Sequence, residues 1–413
     1  AKKTKSHESF VDVETKFLDD IDCTPSGWMW VRGTNSNERM SHCHHEVSCS
    51  IKQIGPVAPG RDSIAPLMAA YFDIEAVSAA LEFPDADKPH DHVTHIGIHF
   101  QRIDSTSIER VQLVLGACDP VEGVTIESCE SEQDLLQRAR SWIRRRDPDL
   151  IVQFNGFGFD WPYLAKRSQR SEIRADTFMY LSRLIADRCV IRTKELSSSA
   201  LGQNDLSIVN MKGRINLDLY HWIKAQPNYK FTSYKLDFLA GHFLGDHKVE
   251  MDYQNLFKMA QGTAAEKAKV AHYCDVDVEL LSRLCRRLKI FSADVEMSRI
   301  CHTLQEQLVT RGQQIKVTNQ LKWYGNRNQR RADGNGGYIL NTPDYFSGTS
   351  ADSYEGATVI DAISGYYKHS PVAVLDFMSL YPSIILANRF CYSTLVQNPE
   401  FLKATGIKFV TIR

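Results

Sequence analysis

The chain has 413 residues, of which 43% are apolar, and its formal net charge is −1. This length allows two or three domains with packed cores, and the near-zero charge excludes an overall attraction to polyanions. The ten cysteines lack paired short spacings, so we expect reduced thiols in an intracellular protein rather than a disulfide framework. We find no secretory leader pattern and no run of about 18 apolar residues, so no membrane partner is expected.

Residues 1–66 are polar and rich in turns, with short strand-like pieces at 27–31 and 45–51. They predict a small β-rich N-terminal domain over 1–66. One stretch of it has a composition typical of zinc sites, with His42, Cys43, His44, His45 and Cys49. Neighbouring strand residues point to opposite faces and no C-x-x-C pair is present, so we expect a surface strand without zinc.

Three apolar segments follow at 67–75, 94–100 and 111–116, and they predict an antiparallel meander. Ser131 is then expected to cap a helix, and 150–154 has the composition of a buried strand. The apolar face of the predicted helix consists of Leu135, Leu136, Ala139, Trp142 and Ile143.

A long helical region is predicted over 264–311, and Gly- and Ser-rich connections follow it. Together these patterns predict a mixed α/β domain over 67–290. A helical segment and linker over 291–366 would return to the N-terminal domain, and 367–413 would begin a further domain.

Asp73 and Glu75 are two residues apart on a predicted strand. The period of two directs both side chains to the same face, where two carboxylates repel each other unless cations lie between them. An exposed strand face also carries such a pair by chance, so the pair alone identifies no site.

Asn155 and Asp160 flank a Gly-rich turn that directly follows the predicted strand at 150–154. An acid at such a strand-to-helix junction lies where clefts form. Asp160 has a second interpretation, as the N-cap of the next helix, and the local pattern leaves both open.

Tyr273 and Asp277 are four residues apart in the predicted helical region, so they share one helix face. A tyrosine on a half-buried helix more often packs than reacts, which makes this pair weak by itself. Asp275 and Glu279 lie off the line of Tyr273 and Asp277 and are expected to face solvent.

The order of these three patterns, on a strand, a strand-to-helix turn and a helix, resembles the 3′–5′ proofreading exonuclease of family B DNA polymerases. Its three motifs match as Asp73 with Glu75, Asn155 through Phe159 to Asp160, and Tyr273 with Asp277. The resemblance implies an α/β (α+β) class with a ribonuclease-H-like exonuclease domain. It also implies that Asn155 and Phe159 contact DNA.

Phosphodiester cleavage requires charge neutralisation at the attacking and leaving oxygens, which two divalent cations provide. Mg²⁺ or Mn²⁺ suits oxygen ligands, and the resemblance implies two ions per active site. Asp73, Glu75 and Asp277 are expected to hold the ion that activates water, while Asp73 and Asp160 serve the second. Tyr273 is expected to orient the attacking water.

The stretch 372–384 contains D-x-x-S-L-Y-P-S-I and resembles the first polymerase motif of the same family. Asp376 would be the metal-binding acid of a palm strand. The nucleotide-binding residues would be Phe377, Ser379, Leu380 and Tyr381, with Tyr381 as a steric gate against ribonucleotides. An isolated buried Asp in a core strand is the alternative, and its cost makes it unfavourable.

Tyr354 and Gly356 resemble the family's Y-x-G-[GA] motif, which implies a contact with template DNA. The likeness covers most of the chain from about residue 20 and is strongest to the delta branch, cellular or of large DNA viruses. It implies a replication enzyme of the nucleus or of a viral replication compartment.

The resemblance also implies the partners: primer-template DNA, a single-stranded 3′ end, deoxynucleoside triphosphates and a processivity factor. No D-T-D palm motif follows Asp376, so we expect a truncated palm over 367–413 and no primer extension by this chain alone. The alternative function is a non-catalytic single-stranded-DNA-binding module of the same fold.

Overall fold

The computed structural model describes residues 12–198, 202–248, 251–329, 358–390, 396 and 399–403. The chain divides into two compact units, Ala1–Tyr324 and Gly325–Arg413, hereafter the first and second units. Among the described helices, none combines the length and the apolar character that a membrane crossing requires.

The first unit begins with a small region of one helix and four short strands. These are α1 (Val13–Asp20), β1 (Met29–Val31), β2 (Thr34–Asn35), β3 (Val47–Ser48) and β4 (Ile54–Pro56). β1 pairs with β4 and β2 with β3, both antiparallel. Helix α1 was not predicted, and it begins where the Asp12 carboxylate accepts a hydrogen bond from the Thr15 backbone N–H at 3.1 Å.

A six-stranded mixed sheet forms the centre of the first unit. The remaining strands are β5 (Met68–Val77), β6 (His92–Arg102), β7 (Glu109–Leu115), β8 (Thr125–Cys129), β9 (Leu150–Gln153), β10 (Val190–Ser198), β11 (Gly202–Asn210) and β12 (Ile215–Asp218). The sheet order is β12-β9-β5-β6-β7-β8, while β10 and β11 form a separate antiparallel pair. β5, β6 and β7 are antiparallel neighbours, which confirms the predicted meander.

Helices cover both faces of this sheet. The described α-helices between α1 and residue 330 are α2 (Glu132–Arg146), α3 (Asp160–Gln169), α4 (Leu219–Ala225), α5 (Leu236–Leu244), α6 (Tyr253–Ala260), α7 (Ala264–Arg287), α8 (Ile290–Cys301), α9 (Gln305–Thr310) and α10 (Gln314–Gln329). The predicted helical region at 264–311 is therefore divided into α7, α8 and α9. Lys289 and His302 adopt positive φ angles at the two breaks, where the chain changes direction.

Helix α2 has the predicted start and the predicted buried face. The Ser131 hydroxyl accepts a hydrogen bond from the Asp134 backbone N–H at 3.2 Å. Its buried residues are the five predicted ones, Leu135, Leu136, Ala139, Trp142 and Ile143. Local sequence was sufficient here because the cap and the apolar stripe act within one helix.

The two faces of β5 contribute to different cores. Phe72 and Ile74 pack in the core that contains residues of α2 and α3. Tyr71 packs in the opposite core with residues of α4, α5 and α7. Because side chains alternate along a strand, Asp73 and Glu75 lie on the same face as Tyr71, toward α7. The sheet with helices on both faces confirms the mixed α/β class.

In the second unit the described residues include one α-helix, α11 (Leu380–Asn388). The predicted palm strand that carries Asp376 does not form in this structure, where residues 371–377 have no regular secondary structure, and the palm stays a prediction. Leu375 is 92% exposed. A strand requires a hydrogen-bonded neighbour, and the described part of this unit contains no other strand.

Candidate active site

A group of carboxylates lies beside the carboxyl ends of β9 and β12. β5 pairs in parallel with β9 only as far as Tyr71, opposite Val152, so Asp73 and Glu75 lie beyond the last pair. Such strand ends open into clefts in sheets of this kind. Ligand atoms of Asp73, Glu75 and Cys274 lie within 4.8 Å of one another.

The Asp73 and Glu75 side chains are half-buried, and their ionised forms are unfavourable there. Burial raises the pKa of Asp73 to about 7, and the Asp277 carboxylate adds to the increase. Burial likewise raises the pKa of Glu75 well above its ordinary value, and Asp73 and Asp277 contribute. A bound cation would remove both penalties, since it replaces the lost water and separates the like charges.

Helix α7 brings Asp277 to these acids. Its carboxylate is buried, and Lys248 Nζ lies 2.5 Å from Oδ2. Tyr273, one turn earlier on the same helix face, also lowers the pKa of this carboxyl. Burial raises the pKa of Asp277 although Lys248 and Tyr273 oppose the increase. The other oxygen, Oδ1, is buried and has no hydrogen-bond partner.

Sequence reasoning missed Lys248, which lies shortly after α5. Its backbone N–H donates to Oδ1 of Asp237 at 2.9 Å, and its Nζ lies 5.1 Å from the centre of the Tyr273 ring. Burial lowers the pKa of Lys248, but Asp277 and Tyr273 outweigh it, so the pKa is above its ordinary value. No spacing rule connects this lysine to α7, because the contact is made only in the folded chain.

Asp160 is the first residue of α3, and its side chain is buried. Phe159 holds the N-cap position and no side-chain capping bond is formed, so the interpretation of Asp160 as an N-cap is wrong. The Ile74 backbone N–H of β5 is among the groups that oppose the rise that burial causes in the pKa of Asp160. Burial raises the pKa of Asp160 well above its ordinary value, and Asp73 is the next cause, which places Asp160 within the same electrostatic group.

Asp218 is a second residue that sequence reasoning missed, and it supports the turn before Asp160. Its carboxylate is fully buried and accepts backbone N–H groups of Asn155, Phe157 and Tyr220, each at 3.0 Å. Asn155 has a φ of +59°, a conformation that asparagine adopts more readily than most residues. Burial raises the pKa of Asp218 to about 6, although these hydrogen bonds oppose the increase. The sequence signal that could have identified Asp218 is its position immediately before a helical pattern, where N-cap residues lie.

The expectation that Asp275 faces solvent is wrong. Asp275 is buried, and its carboxylate contacts His99 at 2.6 Å and Arg110 at 3.0 Å. Glu279 is half-buried and lies 2.7 Å from the same Arg110. The helix pattern did not reveal this because both partners are on strands of the meander.

Phe159 and Asn155, the predicted DNA contacts, lie near Asp160. The Phe159 ring packs edge-on against Phe83 at 5.1 Å and against Tyr163 at 5.2 Å. Phe83 is 75% exposed and was not predicted. Phe83 lies in the loop after β5, and only the folded chain places its exposed ring against Phe159, the residue before Asp160.

The predicted polymerase residues belong to the second unit. Asp376, Phe377, Ser379, Leu380 and Tyr381 are all exposed. Ser379 has a φ of +52° immediately before α11. Tyr354 and Gly356 lie outside the residues that the structure describes.

In the stretch at 42–49, His42 receives a hydrogen bond from the Arg144 guanidinium. Burial and then Arg144 lower the pKa of His42, which favours the neutral ring. The Glu46 carboxylate accepts hydrogen bonds from the Met40 backbone N–H at 3.1 Å and from the Ser41 hydroxyl. The absence of zinc from this stretch stays a prediction.

The donor chemistry of the carboxylate group fits Mg²⁺ or Mn²⁺. Within the described ranges, the one trio of His, Cys, Asp or Glu close enough to hold a metal is Asp73, Glu75 and Cys274. Burial and then Asp73 raise the pKa of Cys274 well above its ordinary value, so its sulfur is a neutral thiol and a poor ligand. The carboxylate oxygens, including the unpartnered Oδ1 of Asp277, form the set that hard cations prefer.

Comparison with known proteins identifies the family. The family model described as "DNA polymerase family B, exonuclease domain" matches residues 4–239, more than half of the chain. The model described as "DNA polymerase family B" matches residues 303–407.

Curated relatives agree with this assignment. The chain is 31% identical to the DNA polymerase delta catalytic subunit of Mesocricetus auratus over 97% of its own length and 35% of the relative's. It is 33% identical to the subunit of the same name from Candida albicans, over 94% of this chain and 36% of that protein. It therefore spans about a third of the length of the curated relatives it matches. With the acids of β5, α3 and α7 gathered in one cleft and both family models matched, the chain belongs to DNA polymerase family B.

Proposed function

We propose that the first unit is a metal-dependent 3′–5′ exonuclease of ribonuclease-H-like fold that shortens single-stranded DNA from its 3′ end. One observation carries the proposal: burial, and after it the neighbouring acids, raises the pKa values of acids from β5 and α3 in a cleft shared with Asp277 of α7, and one oxygen of Asp277 is buried without a partner. Such an arrangement is unfavourable for the protein alone and becomes favourable with divalent cations.

Two Mg²⁺ or Mn²⁺ ions would neutralise the charge on the attacking and leaving oxygens of the phosphodiester. We assign Asp73, Glu75 and Asp277 to the first ion, and Asp73 and Asp160 to the second. Asp160 is suited to this role because it is buried and interacts electrostatically with Asp73. Asp218 fixes the turn before it and is a positioning residue.

Tyr273 is assigned to orient the attacking water. It lies one helical turn from Asp277 and lowers the pKa of that carboxyl, so a water bound next to this carboxylate lies within reach of its hydroxyl. Lys248 opposes the increase that burial causes in the pKa of Asp277, so it favours the ionised form, and it restrains the carboxylate from one side. Asp277 is then ready to bind a cation through its free oxygen.

Unpaired bases are assigned to the aromatic surface beside Asp160. Phe83 and Phe159 offer an exposed ring next to the carboxylates, and stacking on aromatic rings is a sequence-tolerant way to hold single strands. We assign to Asn155, which is exposed in the preceding turn, a contact with the DNA strand. Tyr354 and Gly356 are assigned to the template on the motif resemblance alone.

Because the chain spans about a third of its relatives, DNA polymerisation is proposed for the longer protein. There Asp376 would bind the catalytic ions, and Phe377, Ser379, Leu380 and Tyr381 would contact the deoxynucleoside triphosphate. We include in the same proposal that the longer protein acts in the nucleus on primer-template DNA and binds a processivity factor. The relatives named DNA polymerase delta catalytic subunit support it.

Digestion of a 5′-labelled single-stranded oligonucleotide by the purified chain tests the proposed exonuclease. We expect a ladder of products shortened from the 3′ end with Mg²⁺ or Mn²⁺ and none with EDTA. A 3′-terminal phosphorothioate linkage should slow digestion, which identifies the end attacked. Oligonucleotide binding without any shortening would instead support the non-catalytic single-strand-binding module.

A further inference from the structure

A buried charged network lies behind the carboxylate cleft. Asp275, on α7, has a side chain that is 3% exposed, and its two oxygens contact His99 Nε2 at 2.6 Å and Arg110 NH1 at 3.0 Å. His99 is fully buried. Burying a carboxylate at this depth is unfavourable unless both oxygens are paired, so the three side chains act as one unit.

The network joins α7 to two neighbouring strands. His99 on β6 is directly opposite Arg110 on β7 in the sheet register. Arg110 also reaches Glu279 at 2.7 Å, one turn further along α7 than Asp275. The helix is therefore attached to the β6–β7 side of the sheet at two successive turns.

Asp277 lies on the opposite side of the α7 axis from Asp275. A residue in an α-helix advances by about 100°, so Asp275 is about 160° away from Asp277 around the axis. β5, which carries Asp73 and Glu75, is the other neighbour of β6 in the sheet. The helix thus contacts β6–β7 through Asp275 and presents Asp277 toward β5.

Between these two sides α7 lies very close to the sheet at Gly97 of β6. A Cβ added to Gly97 would lie 2.8 Å from Cys274 Sγ and 3.1 Å from Val278 Cγ2. This close contact would serve as a pivot, because it leaves the helix little room to move toward the sheet, so that a displacement of α7 would have to be a rotation. A restraint on one side of the pivot therefore controls the position of the other.

We propose, on the premise of the exonuclease site above, that Asp275 is a positioning residue that uses His99 and Arg110 to fix the rotation of α7. This rotation sets the separation of Asp277 from Asp73 and Glu75, and with it the affinity of the site for divalent cations. This role differs from a general contribution to folding stability, because its effect is on metal binding in one cleft.

The test uses Asp275→Asn in the whole 413-residue chain. The amide keeps the shape but has a single acceptor oxygen, so it cannot accept from both His99 and Arg110. We expect the Mn²⁺ dissociation constant, measured by calorimetry, to rise about tenfold, as for outer partners of metal ligands. The maximal rate of oligonucleotide digestion should fall about tenfold while KM changes by less than about twofold.

Asp147→Asn is the matched control. Asp147 also lies between two arginines, with Arg183 Nε at 2.9 Å and Arg214 NH1 at 2.8 Å, at the opposite end of β9 from the cleft. Its φ is +46°, which asparagine tolerates. We expect a loss of melting temperature comparable to that of Asp275→Asn, with Mn²⁺ affinity and digestion rate unchanged.

His99→Gln provides a second variant, which decides the matter if Asp275→Asn does not fold. It should weaken Mn²⁺ binding in the same direction, and the double variant should be hardly worse than Asp275→Asn because both break one unit. Wild-type Mn²⁺ affinity in these variants, or an equal loss in Asp147→Asn, would overturn the positioning role.

The two proposals fail separately. A wild-type chain that binds Mn²⁺ but does not shorten DNA refutes the exonuclease, and the calorimetric comparison still decides on Asp275. A wild-type chain that does not bind Mn²⁺ overturns both.

Discussion

Lys248 Nζ lies 2.5 Å from one oxygen of the Asp277 carboxylate, while the other oxygen of the same group is buried without a partner. The two halves of this carboxylate thus have different environments. One half is neutralised by a cation of the protein, and the other is free to bind a metal ion. A buried acid with a half-satisfied carboxylate is characteristic of a functional site rather than of a structural ion pair.

Lys248→Met should move the acidic limb of the digestion rate profile to higher pH. Without the ammonium group, burial of Asp277 is no longer opposed, so its pKa rises and the ionised form needed for metal binding appears later. A shift of about one pH unit would lower the rate on that limb about tenfold. The measurement is the rate from pH 5.5 to 9 at fixed Mn²⁺.

Lys212→Met is the control for the loss of a lysine. Lys212 forms an ion pair with Asp187 at 3.1 Å, and its side chain is largely exposed, outside the cleft. Its rate profile should match that of the wild type. An unchanged profile for Lys248→Met would mean that Lys248 does not control the ionisation of Asp277.

Replacing Asp73 and Glu75 together by Ala should abolish digestion without unfolding the protein. The metal ligands are lost, but the repulsion that raises the pKa values of both acids is lost as well. We expect a melting temperature in EDTA equal to or above that of the wild type. A digestion rate within tenfold of the wild type would refute the assignment of these acids.

Tyr273→Phe should slow digestion less than Asp277→Asn does. In the proposed site the phenol orients water, whereas the carboxylate is a metal ligand. Single-turnover rates at saturating Mn²⁺ separate the two effects, because Tyr273→Phe should leave the Mn²⁺ dissociation constant nearly unchanged. A larger loss in Tyr273→Phe than in Asp277→Asn would show that the roles are misassigned.

The metal-free chain should lose stability as pH rises through about 7, where Asp73 ionises. A carboxyl whose pKa is raised by folding binds its proton more tightly in the folded state, so its contribution favours the folded chain at low pH and is lost above the folded pKa. Mn²⁺ should reverse this trend, because it binds the ionised carboxylates.

Melting temperatures at pH 5.5 and 8, with EDTA and with Mn²⁺, measure this dependence. Asp73→Asn with Glu75→Gln serves as the reference, since these amides do not titrate. Their pH dependence in EDTA should be flatter than that of the wild type. Identical pH dependence in both proteins would contradict the raised pKa values.

Much of the first unit could be predicted because its signals are local. The start and buried face of α2 depend on Ser131 and on residues within one helix. The shared direction of Asp73 and Glu75 follows from the strand period, and that of Tyr273 and Asp277 from the helix period. Each motif of the candidate site lies within one element, so its chemistry can be recognised before the fold is known.

The missed residues have contacts that no local pattern describes. Asp218 binds a turn 63 positions away, and Asp275 binds a histidine 176 positions away. The predicted strand that carries Asp376 is not formed for a related reason: a strand needs a hydrogen-bonded neighbour, which an apolar segment does not supply alone.

The sequence by itself determined which carboxylates are present and which element carries each of them. Tertiary structure decided that β5, α3 and α7 meet, that Lys248 pairs with one oxygen of Asp277, and that Asp275 is buried rather than exposed. The physical reason is that periodicity and capping act over a few residues. Burial and electrostatic pairing depend on which distant segments pack together.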